Sequence, residues 1–443
     1  MSTKRADFTT PGKIAYINAH LINPASGLNE VGALFTNGRK IEDFGPELFR
    51  KASGWDVPDG IEVIDCKGLY LSPGFVDMRV QTGEPGFEYR GNLETAGKSA
   101  TSGGITSMVC LPNTNPVIDD MSVVEFVARR ARKLGLTKVY PYGAITKGTE
   151  GVELAEMGLL AESGAVAFTD GIKTITSAKV MSQAMSYAST FDLLLINHPE
   201  EPTLAGSGVM NQSETSTRLG LSGIPAMAEV IMVERDIRIA EMKGARLHLA
   251  NISTGEACKV IANAKKRGVR VTCDTAPPYF ALNETAVGDY RTFSKLSPPL
   301  RSEADRLAII EALKDGTIDA IASDHNPQDA ESKRVPFAQA AFGGVGLDTL
   351  FALTLELYHN EHLSMLEAIS MITDKPANLL NLPAGKLEAG RAADLTLFDA
   401  ERGWKIDSGK LVSKSQNTPF DGRPVQGSVC RTMVDGRTVF ELS

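Results

Sequence analysis

Residues 69–86 decide the fold, and they read LYLSPGFVDMRVQTGEPG. An apolar strand over residues 69–76 continues into a polar segment that is rich in glycine. From this stretch onwards, short apolar strands alternate with longer segments of helical period, as in residues 105–111 followed by 122–134. That alternation predicts βα units around a parallel sheet, and the number of units favours a barrel over an open sheet.

Both ends of the chain contain strand-like pieces of a different kind, separated by turns of Asn, Asp, Pro and Gly. Hairpin turns are predicted at three dipeptides, Asn37-Gly38, Asp399-Ala400 and Asp435-Gly436. The predicted class is therefore α/β, with a (β/α)8 TIM barrel over residues 71–383. A small β-sandwich domain is expected to form from both termini, over residues 1–70 and 384–443.

Composition excludes several classes of protein. The 443 residues are 42% hydrophobic and 23% charged, which is ordinary for a globular protein. A net charge of -8 without a basic stripe excludes a typical nucleic-acid binder. Five scattered cysteines without a Cys-x-x-Cys pair exclude a disulfide framework. The sequence contains no apolar run of about eighteen residues, the length that would predict a membrane span, so we expect a cytoplasmic protein.

The candidate site consists of the polar residues that follow the predicted barrel strands, because TIM barrels carry their chemistry at the C-terminal ends of the strands. These segments are residues 77–86, 111–116, 143–148, 197–201, 248–253, 297–301 and 322–327.

Taken together, these segments resemble the dihydroorotases of the amidohydrolase superfamily over nearly the whole chain. The sequence GKLEAGRAADL at residues 385–395 also resembles the return of such proteins from the barrel to the β-sandwich. The resemblance implies a two-zinc site that activates water to attack the ring amide of dihydroorotate. A strand-end aspartate would transfer the proton.

Most of the metal-ligand positions that the resemblance implies hold other residues here. A histidine remains at His198, and an aspartate remains at Asp324 as a vestigial catalytic residue. A further family histidine, four residues after Asp324, is Gln328. The replaced ligands are Arg79 and Gln81 for the His-x-His pair, Gly171 for the carboxylate between the metals, and Asn251 for a later histidine.

The substrate-binding positions implied by the resemblance are also only partly kept. The arginine that grips the substrate carboxylate in the family is Gly83, and a substrate-binding asparagine is Ser297. Asn113, in the motif Pro-Asn-Thr, is kept as a vestigial substrate-binding residue. The alternative for Asn113 is that it only holds its own proline-rich turn.

Arg79 changes the charge of the predicted site. A guanidinium stays protonated and has no lone pair to give to zinc. In this superfamily the first and eighth strands lie side by side, so we expect Arg79 to contact Asp324 within about 4 Å as a structural pair. We therefore expect no metal and no cofactor. Zinc is expected only if a divergent enzyme keeps one ion on His198 and Asp324.

Three functions remain open. The first is a catalytically inactive dihydroorotase-like pseudoenzyme of pyrimidine biosynthesis that assembles with aspartate carbamoyltransferase, as some bacterial relatives do, in a homo- or hetero-oligomer. The second is a divergent dihydroorotase or cyclic-amide hydrolase with one metal or none. The third is a sensor that uses Arg79 as an anion clamp for a carboxylate ligand. Residues 328–346 are expected to be a contact segment or a disordered one.

Overall fold

The computed structural model describes residues 11–442 of the chain. Its strands are β1 Lys13–Asn23, β2 Leu28–Asn37, β3 Lys40–Gly45, β4 Arg50–Lys51, β5 Gly54–Trp55, β6 Glu62–Asp65, β7 Tyr70–Pro73, β8 Phe75–Val80, β9 Ile105–Cys110, β10 Lys138–Pro141, β11 Phe168–Thr169, β12 Leu194–Asn197, β13 Met210–Asn211, β14 Gly223–Ile224, β15 Arg246–Leu249, β16 Val271–Thr275, β17 Ala320–Ile321, β18 Leu395–Lys405, β19 Pro424–Val434 and β20 Arg437–Glu441. Its α-helices are α1 Leu93–Ser102, α2 Met121–Leu134, α3 Met157–Glu162, α4 Ala178–Thr190, α5 Pro202–Ala205, α6 Glu214–Leu219, α7 Met227–Lys243, α8 Gly255–Lys266, α9 Pro277–Ala281, α10 Glu303–Lys314, α11 Ala330–Lys333, α12 Leu350–His359, α13 Met365–Ser370 and α14 Asp374–Leu379.

Parallel strands form a closed barrel in the order β8, β9, β10, β11, β12, β15, β16, β17. Two isolated bridges complete the ring. Gly143 pairs with Phe168 between β10 and β11, and Val80 pairs with His325 between β8 and the segment after β17. The α/β class and the TIM barrel are therefore confirmed. None of the helices within residues 11–442 is long and apolar enough to cross a membrane.

The helices around the barrel form because their sequences are amphipathic and capped, and α2 illustrates this. Asp120 accepts a hydrogen bond from Ser122 N at the first turn, and Gly135 ends the helix in the left-handed conformation at φ 62°. The buried residues of α2 recur on one face and pack against the barrel. They are Val123, Val124, Val127 and Ala131.

A second sheet joins strands from both ends of the chain, in the order β20, β19, β18, β7, β1, β2, β3, with β6 beside β1. It meets the barrel at Gly74, which separates β7 from β8. The stretch over residues 69–76 is thus two strands in different sheets, not the single strand that its apolar sequence predicted. A Cβ at Gly74 would lie 2.1 Å from Thr106 Oγ1, so only glycine fits this crossing.

Two local predictions need comment. Asp399-Ala400 is not a hairpin turn, because β18 continues through it to Lys405 with a bulge between Asp399 and Gly403. The segment over residues 328–346 contains α11 and is packed against the barrel. Its Lys333 Nζ donates to the carbonyl oxygens of Thr292 at 3.1 Å and Ala341 at 2.7 Å.

An aromatic cluster fastens the terminal sheet to the barrel. The Phe398 ring of β18 lies 5.3 Å from the Tyr70 ring, 4.7 Å from the Phe351 ring of α12 and 6.2 Å from the Phe75 ring of β8. Phe398 is fully buried. Such ring pairs add to the stabilisation that comes from buried apolar area.

We expect Phe398→Ala to lower the free energy of unfolding by about 3 to 5 kcal/mol, because it leaves a cavity between two packed layers. Urea denaturation followed by circular dichroism measures this. The control is Phe191→Ala, since the Phe191 ring is 56% exposed and its removal should cost less than about 1 kcal/mol. Equal losses in the two variants would contradict the role of the cluster.

Candidate active site

Arg79 and Asp324 form the centre of the barrel mouth. Arg79 lies near the C-terminal end of β8, and Asp324 follows β17. Arg79 Nε donates to Asp324 Oδ1 at 2.9 Å, and the two side chains are 3% and 16% exposed. Burial raises the pKa of Asp324, and the positive charge of Arg79 opposes that shift. The structure thus brings together the two residues that the sequence analysis expected to meet.

A second buried carboxylate, Asp77, supports this pair; it belongs to the candidate segment 77–86, but no role was predicted for it from the sequence. Asp77 Oδ1 accepts hydrogen bonds from Ser323 N at 3.1 Å and Arg79 N at 3.2 Å. Burial raises the pKa of Asp77 to about 6. The sequence contained a signal for Asp77. Residues two apart in a β-strand point to the same side, and Asp77 and Arg79 are the polar residues of a strand that is otherwise apolar.

His198 lies beside the pair as a neutral imidazole. Its Nε2 is 3.3 Å from Ser297 Oγ, and its Nδ1 has no hydrogen-bond partner within the described residues. Burial and the nearby charge of Arg79 lower the pKa of His198 to about 3. His198 therefore stays uncharged at neutral pH and carries no positive charge toward Asp324.

Two amide side chains at the mouth also keep unused polar atoms. Gln81 Nε2 and Asn251 Oδ1 are buried atoms without a hydrogen-bond partner in residues 11–442. Asn251 is held in place by its backbone, because Asp274 Oδ1 accepts a hydrogen bond from Asn251 N at 2.6 Å. Asp274 Oδ2 in turn contacts His248 Nε2 at 2.9 Å. His248 belongs to the candidate segment 248–253, but its pairing with the buried Asp274 was not predicted from the sequence.

Asn113 occupies the space beside Gly171. Asn113 Nδ2 donates to the Asp170 carbonyl oxygen at 3.1 Å, and its Oδ1 accepts from Ile172 N at 3.1 Å. A Cβ on Gly171 would lie 1.7 Å from Asn113 Oδ1. The carboxylate of Asp170, one position earlier, is committed to the backbone N–H groups of Ile145 and Thr146. No side chain at position 171 can therefore reach the mouth unless Asn113 moves.

The other substituted positions are equally committed to local structure. Gly83 has φ 75°, and a Cβ there would lie 2.5 Å from the Gly91 carbonyl oxygen. An arginine at this position would need the loop to move. Gln328 Nε2 donates to Asn326 Oδ1 at 2.7 Å, and Gln328 N donates to Asn417 Oδ1 at 3.2 Å. Gln328 thus binds the C-terminal segment of the chain.

The residues at this mouth do not fit a pair of zinc ions. Zinc takes imidazole, thiolate or carboxylate donors, and residues 11–442 contain no group of three or more such side chains placed to hold a metal. The Arg79 guanidinium lies on the carboxylate that would bind the cation. No catalytic step through a metal follows from this arrangement.

Comparison with known proteins identifies the family of the chain. A family model described as dihydro-orotase-like matches residues 68–257, and an amidohydrolase family model matches residues 239–440. A protein of Anaplasma phagocytophilum named dihydroorotase is 44% identical, over 96% of this chain and 95% of that protein. One of Desulforapulum autotrophicum with the same name is 44% identical, over 97% of this chain and 99% of that protein.

Solved structures agree in fold. The L-hydantoinase (dihydropyrimidinase) of Arthrobacter aurescens matches with a TM-score of 0.85 at 24% identity, covering 97% of this chain and 96% of that one. The D-hydantoinase (dihydropyrimidinase) of a Thermus species matches with a TM-score of 0.78 at 22% identity, covering 97% and 96%. At these identities the likeness shows the fold alone.

The expectation that this chain takes no cofactor is wrong in the light of these comparisons. Relatives at 41 to 44% identity over most of the chain are named dihydroorotase. Members of the amidohydrolase family typically depend on zinc. Kinship therefore indicates a metal requirement, while the side chains around Arg79 and Asp324 are a poor donor set. That expectation rested on the few ligand positions at the mouth, whereas the similarity extends over nearly the whole chain.

We expect Arg79→Met to lower the free energy of unfolding by about 3 to 5 kcal/mol near neutral pH, because it strands the Asp324 carboxylate. The change raises the pKa of Asp324 further above the ordinary value of 3.8. Between the unfolded and folded pKa values the folded protein holds the extra proton, so its stability falls as pH rises. The deficit relative to wild type should therefore shrink as pH falls toward about 4.

Urea denaturation at several pH values measures this, and Arg79→Met with Asp324→Leu is the matched control. Replacing both partners removes the stranded charge, so the double variant should regain most of the stability. A deficit in Arg79→Met that does not change with pH, or a double variant as unstable as the single one, would show that Arg79 does not neutralise Asp324.

Proposed function

The chain belongs to the dihydroorotase family of amidohydrolases, and from that premise we propose that it is a dihydroorotase-like protein of pyrimidine biosynthesis that no longer catalyses the reaction. We further propose that it acts as an assembly partner of aspartate carbamoyltransferase. The observation that carries the first proposal is the contact of Arg79 with Asp324 at 2.9 Å. The guanidinium of Arg79 is bound to the Asp324 carboxylate, which the reaction of the family needs.

Electrostatics supports the loss of the reaction. Two like unit charges about 4 Å apart repel by about 4 kcal/mol at an effective dielectric of about 20, and a divalent ion doubles that figure. Arg79 therefore opposes any metal that approaches Asp324. His198, the other kept ligand position, is neutral, and the family's other histidine positions at this mouth hold Arg79, Gln81 and Asn251.

Recognition of the substrate is impaired for a separate reason. Asn113 has both ends of its amide bound to the backbone of residues 170–172. Gly83 offers no charge and no room for a side chain. A dihydroorotate carboxylate would thus find neither of the contacts that the family resemblance implies at these two positions.

The alternative is a divergent dihydroorotase. The similarity to proteins named dihydroorotase favours this alternative, because it extends over nearly the full length of the chain at 41 to 44% identity. In this alternative His198, Asp324 and the unpartnered atoms of Gln81 and Asn251 belong to a working site of altered chemistry. The activity assay below separates the two proposals.

The sensor hypothesis has less support. In this hypothesis Arg79 binds the carboxylate of a ligand, but Arg79 Nε is already bound to Asp324. A shallow cleft of about 240 Å³ at the edge of the mouth is lined by Gln81, Asn113, Arg90 and Lys173 among others. A ligand there would contact Gln81 rather than Arg79.

Helix α7 offers a surface for the proposed assembly. Met227, Ile231 and Met242 are 50%, 42% and 67% exposed. Met227 and Ile231 lie one turn apart on the same face and form a small apolar patch, whereas the exposed Glu234 and Arg238 lie between this patch and Met242. Exposed apolar patches with a charged rim occur at protein contact surfaces.

We expect the purified chain, with zinc supplied in the buffer, to show neither hydrolysis of dihydroorotate nor cyclisation of carbamoyl aspartate. The variant carrying both Arg79→His and Gln81→His should remain inactive, because position 171 still lacks a carboxylate and Asn113 fills its space. An absorbance assay with the Anaplasma phagocytophilum dihydroorotase as positive control measures this. Turnover by the wild-type chain would favour the divergent enzyme.

We expect this chain to co-elute with the aspartate carbamoyltransferase of its own organism, with a combined mass measured by light scattering at micromolar concentration. Ile231→Glu should weaken the association by at least about tenfold, because it places a charge in the apolar patch of Met227 and Ile231. Val152→Glu is the control, since Val152 is 73% exposed outside α7. Separate elution of the two wild-type proteins would refute the assembly proposal.

A further inference from the structure

A cleft of about 650 Å³ lies at the end of the barrel opposite to Arg79. It is placed there because its walls include the start of β10 and the end of α2, together with the hairpin between β19 and β20. The cleft therefore spans the junction of the barrel and the terminal sheet. Nothing in the proposed function uses it.

The cleft is positively charged. Arg39, Arg132, Lys138 and Arg437 line it, and Asp435 is its one acidic lining residue. Lys138 Nζ lies 2.9 Å from Asp435 Oδ1 and 2.7 Å from Asp394 Oδ2, so these two carboxylates share one ammonium and the arginines provide the excess positive charge. The guanidinium groups of Arg39 and Arg132 have no ion pair with any carboxylate of residues 11–442. Two arginines are thus available to an anion from outside.

Thr137 adds an unused hydrogen-bonding group. It lines the cleft and is 5% exposed, and its Oγ1 has no hydrogen-bond partner in the described part of the chain. A buried hydroxyl without a partner lowers stability, and an acceptor oxygen of a ligand would satisfy it. This group is independent of the arginine charges and points to the same ligand chemistry.

The remaining wall is apolar and includes one aromatic ring. Leu136, Val139, Tyr140, Pro141 and Val434 line it. The volume is within the range of about 300 to 1,000 Å³ that is usual for organic ligands, and it exceeds what a bare inorganic anion fills. A ligand that combines a compact anion with a flat apolar part suits this cleft.

We propose that this cleft binds a mononucleotide. Arg39 and Arg132 bind the phosphate, for which the planar guanidinium is well suited. Thr137 donates a hydrogen bond to a phosphate oxygen, and the base lies against Tyr140 and Leu136. A competing explanation is that Arg132 only complements the negative end of α2, as cations in a last helical turn do.

Lys133 separates these explanations, because it lies in the same last turn of α2 but does not line the cleft. In isothermal titration calorimetry on the full chain, uridine 5′-monophosphate and adenosine 5′-monophosphate are the probes. Uridine and inorganic phosphate test the two halves of the ligand, and succinate tests a different anion. We expect a nucleotide to bind at least about tenfold more tightly than each of these three.

The effect of a substitution on nucleotide affinity should depend on whether the residue lines the cleft. We expect Arg39→Gln and Arg132→Gln each to weaken nucleotide binding at least about tenfold, and Lys133→Gln to leave it unchanged. Thr137→Val should weaken binding about threefold or more without lowering the melting temperature of the free protein, because the hydroxyl has no partner to lose.

Several results would overturn the proposal. They are the absence of heat and of a melting-temperature shift with millimolar nucleotide, binding of phosphate or succinate as tight as that of the nucleotide, and an equal loss in Lys133→Gln and Arg132→Gln. An unchanged affinity in both arginine variants and in Thr137→Val would also exclude this cleft as the site.

Discussion

The ion pair between Arg79 and Asp324 is the interaction on which the chemistry of the barrel mouth depends. It joins the end of β8 to the segment after β17, where Val80 and His325 form an isolated bridge that closes the barrel. A carboxylate in this buried place needs a cation, and the guanidinium provides it with a charge-assisted hydrogen bond. Burial, together with the same charge, lowers the pKa of His198 and leaves that ring neutral.

The rest of the mouth is arranged around this pair in a way that separates fold from reaction. Asp77 holds the backbone of Arg79 and Ser323, and Asp274 holds that of Asn251, so the strand ends are fixed by buried carboxylates whatever the mouth binds. A TIM barrel places its stabilising contacts and its reacting residues on different parts of the strands. Replacement of the reacting residues therefore leaves the fold complete.

Because the fold is complete and the barrel mouth is altered, we look to the outer surfaces of the molecule for its binding partners. The patch of Met227 and Ile231 on α7 is apolar, whereas the cleft beside α2 is cationic. The two surfaces belong to different helices and suit different partners, one a protein and the other a small anion. Whole-chain kinship and local ligand chemistry point in different directions at the mouth, and they do so because identity averages over hundreds of positions while a metal site needs only a few.

The sequence by itself determined the barrel, the sheet formed from both termini and the meeting of Arg79 with Asp324. The barrel and the sheet follow from the alternation of strand and helix periods, whereas the meeting of the two side chains follows from the family resemblance, which implies that the first and last barrel strands lie side by side. Only the tertiary structure decided that residues 69–76 divide at Gly74, that Asn113 fills the space beside Gly171, and that Asp77, His248 and Asp274 support the mouth. Such facts depend on atoms far apart in the chain that pack within a few ångströms, and periodicity along the chain carries no record of them.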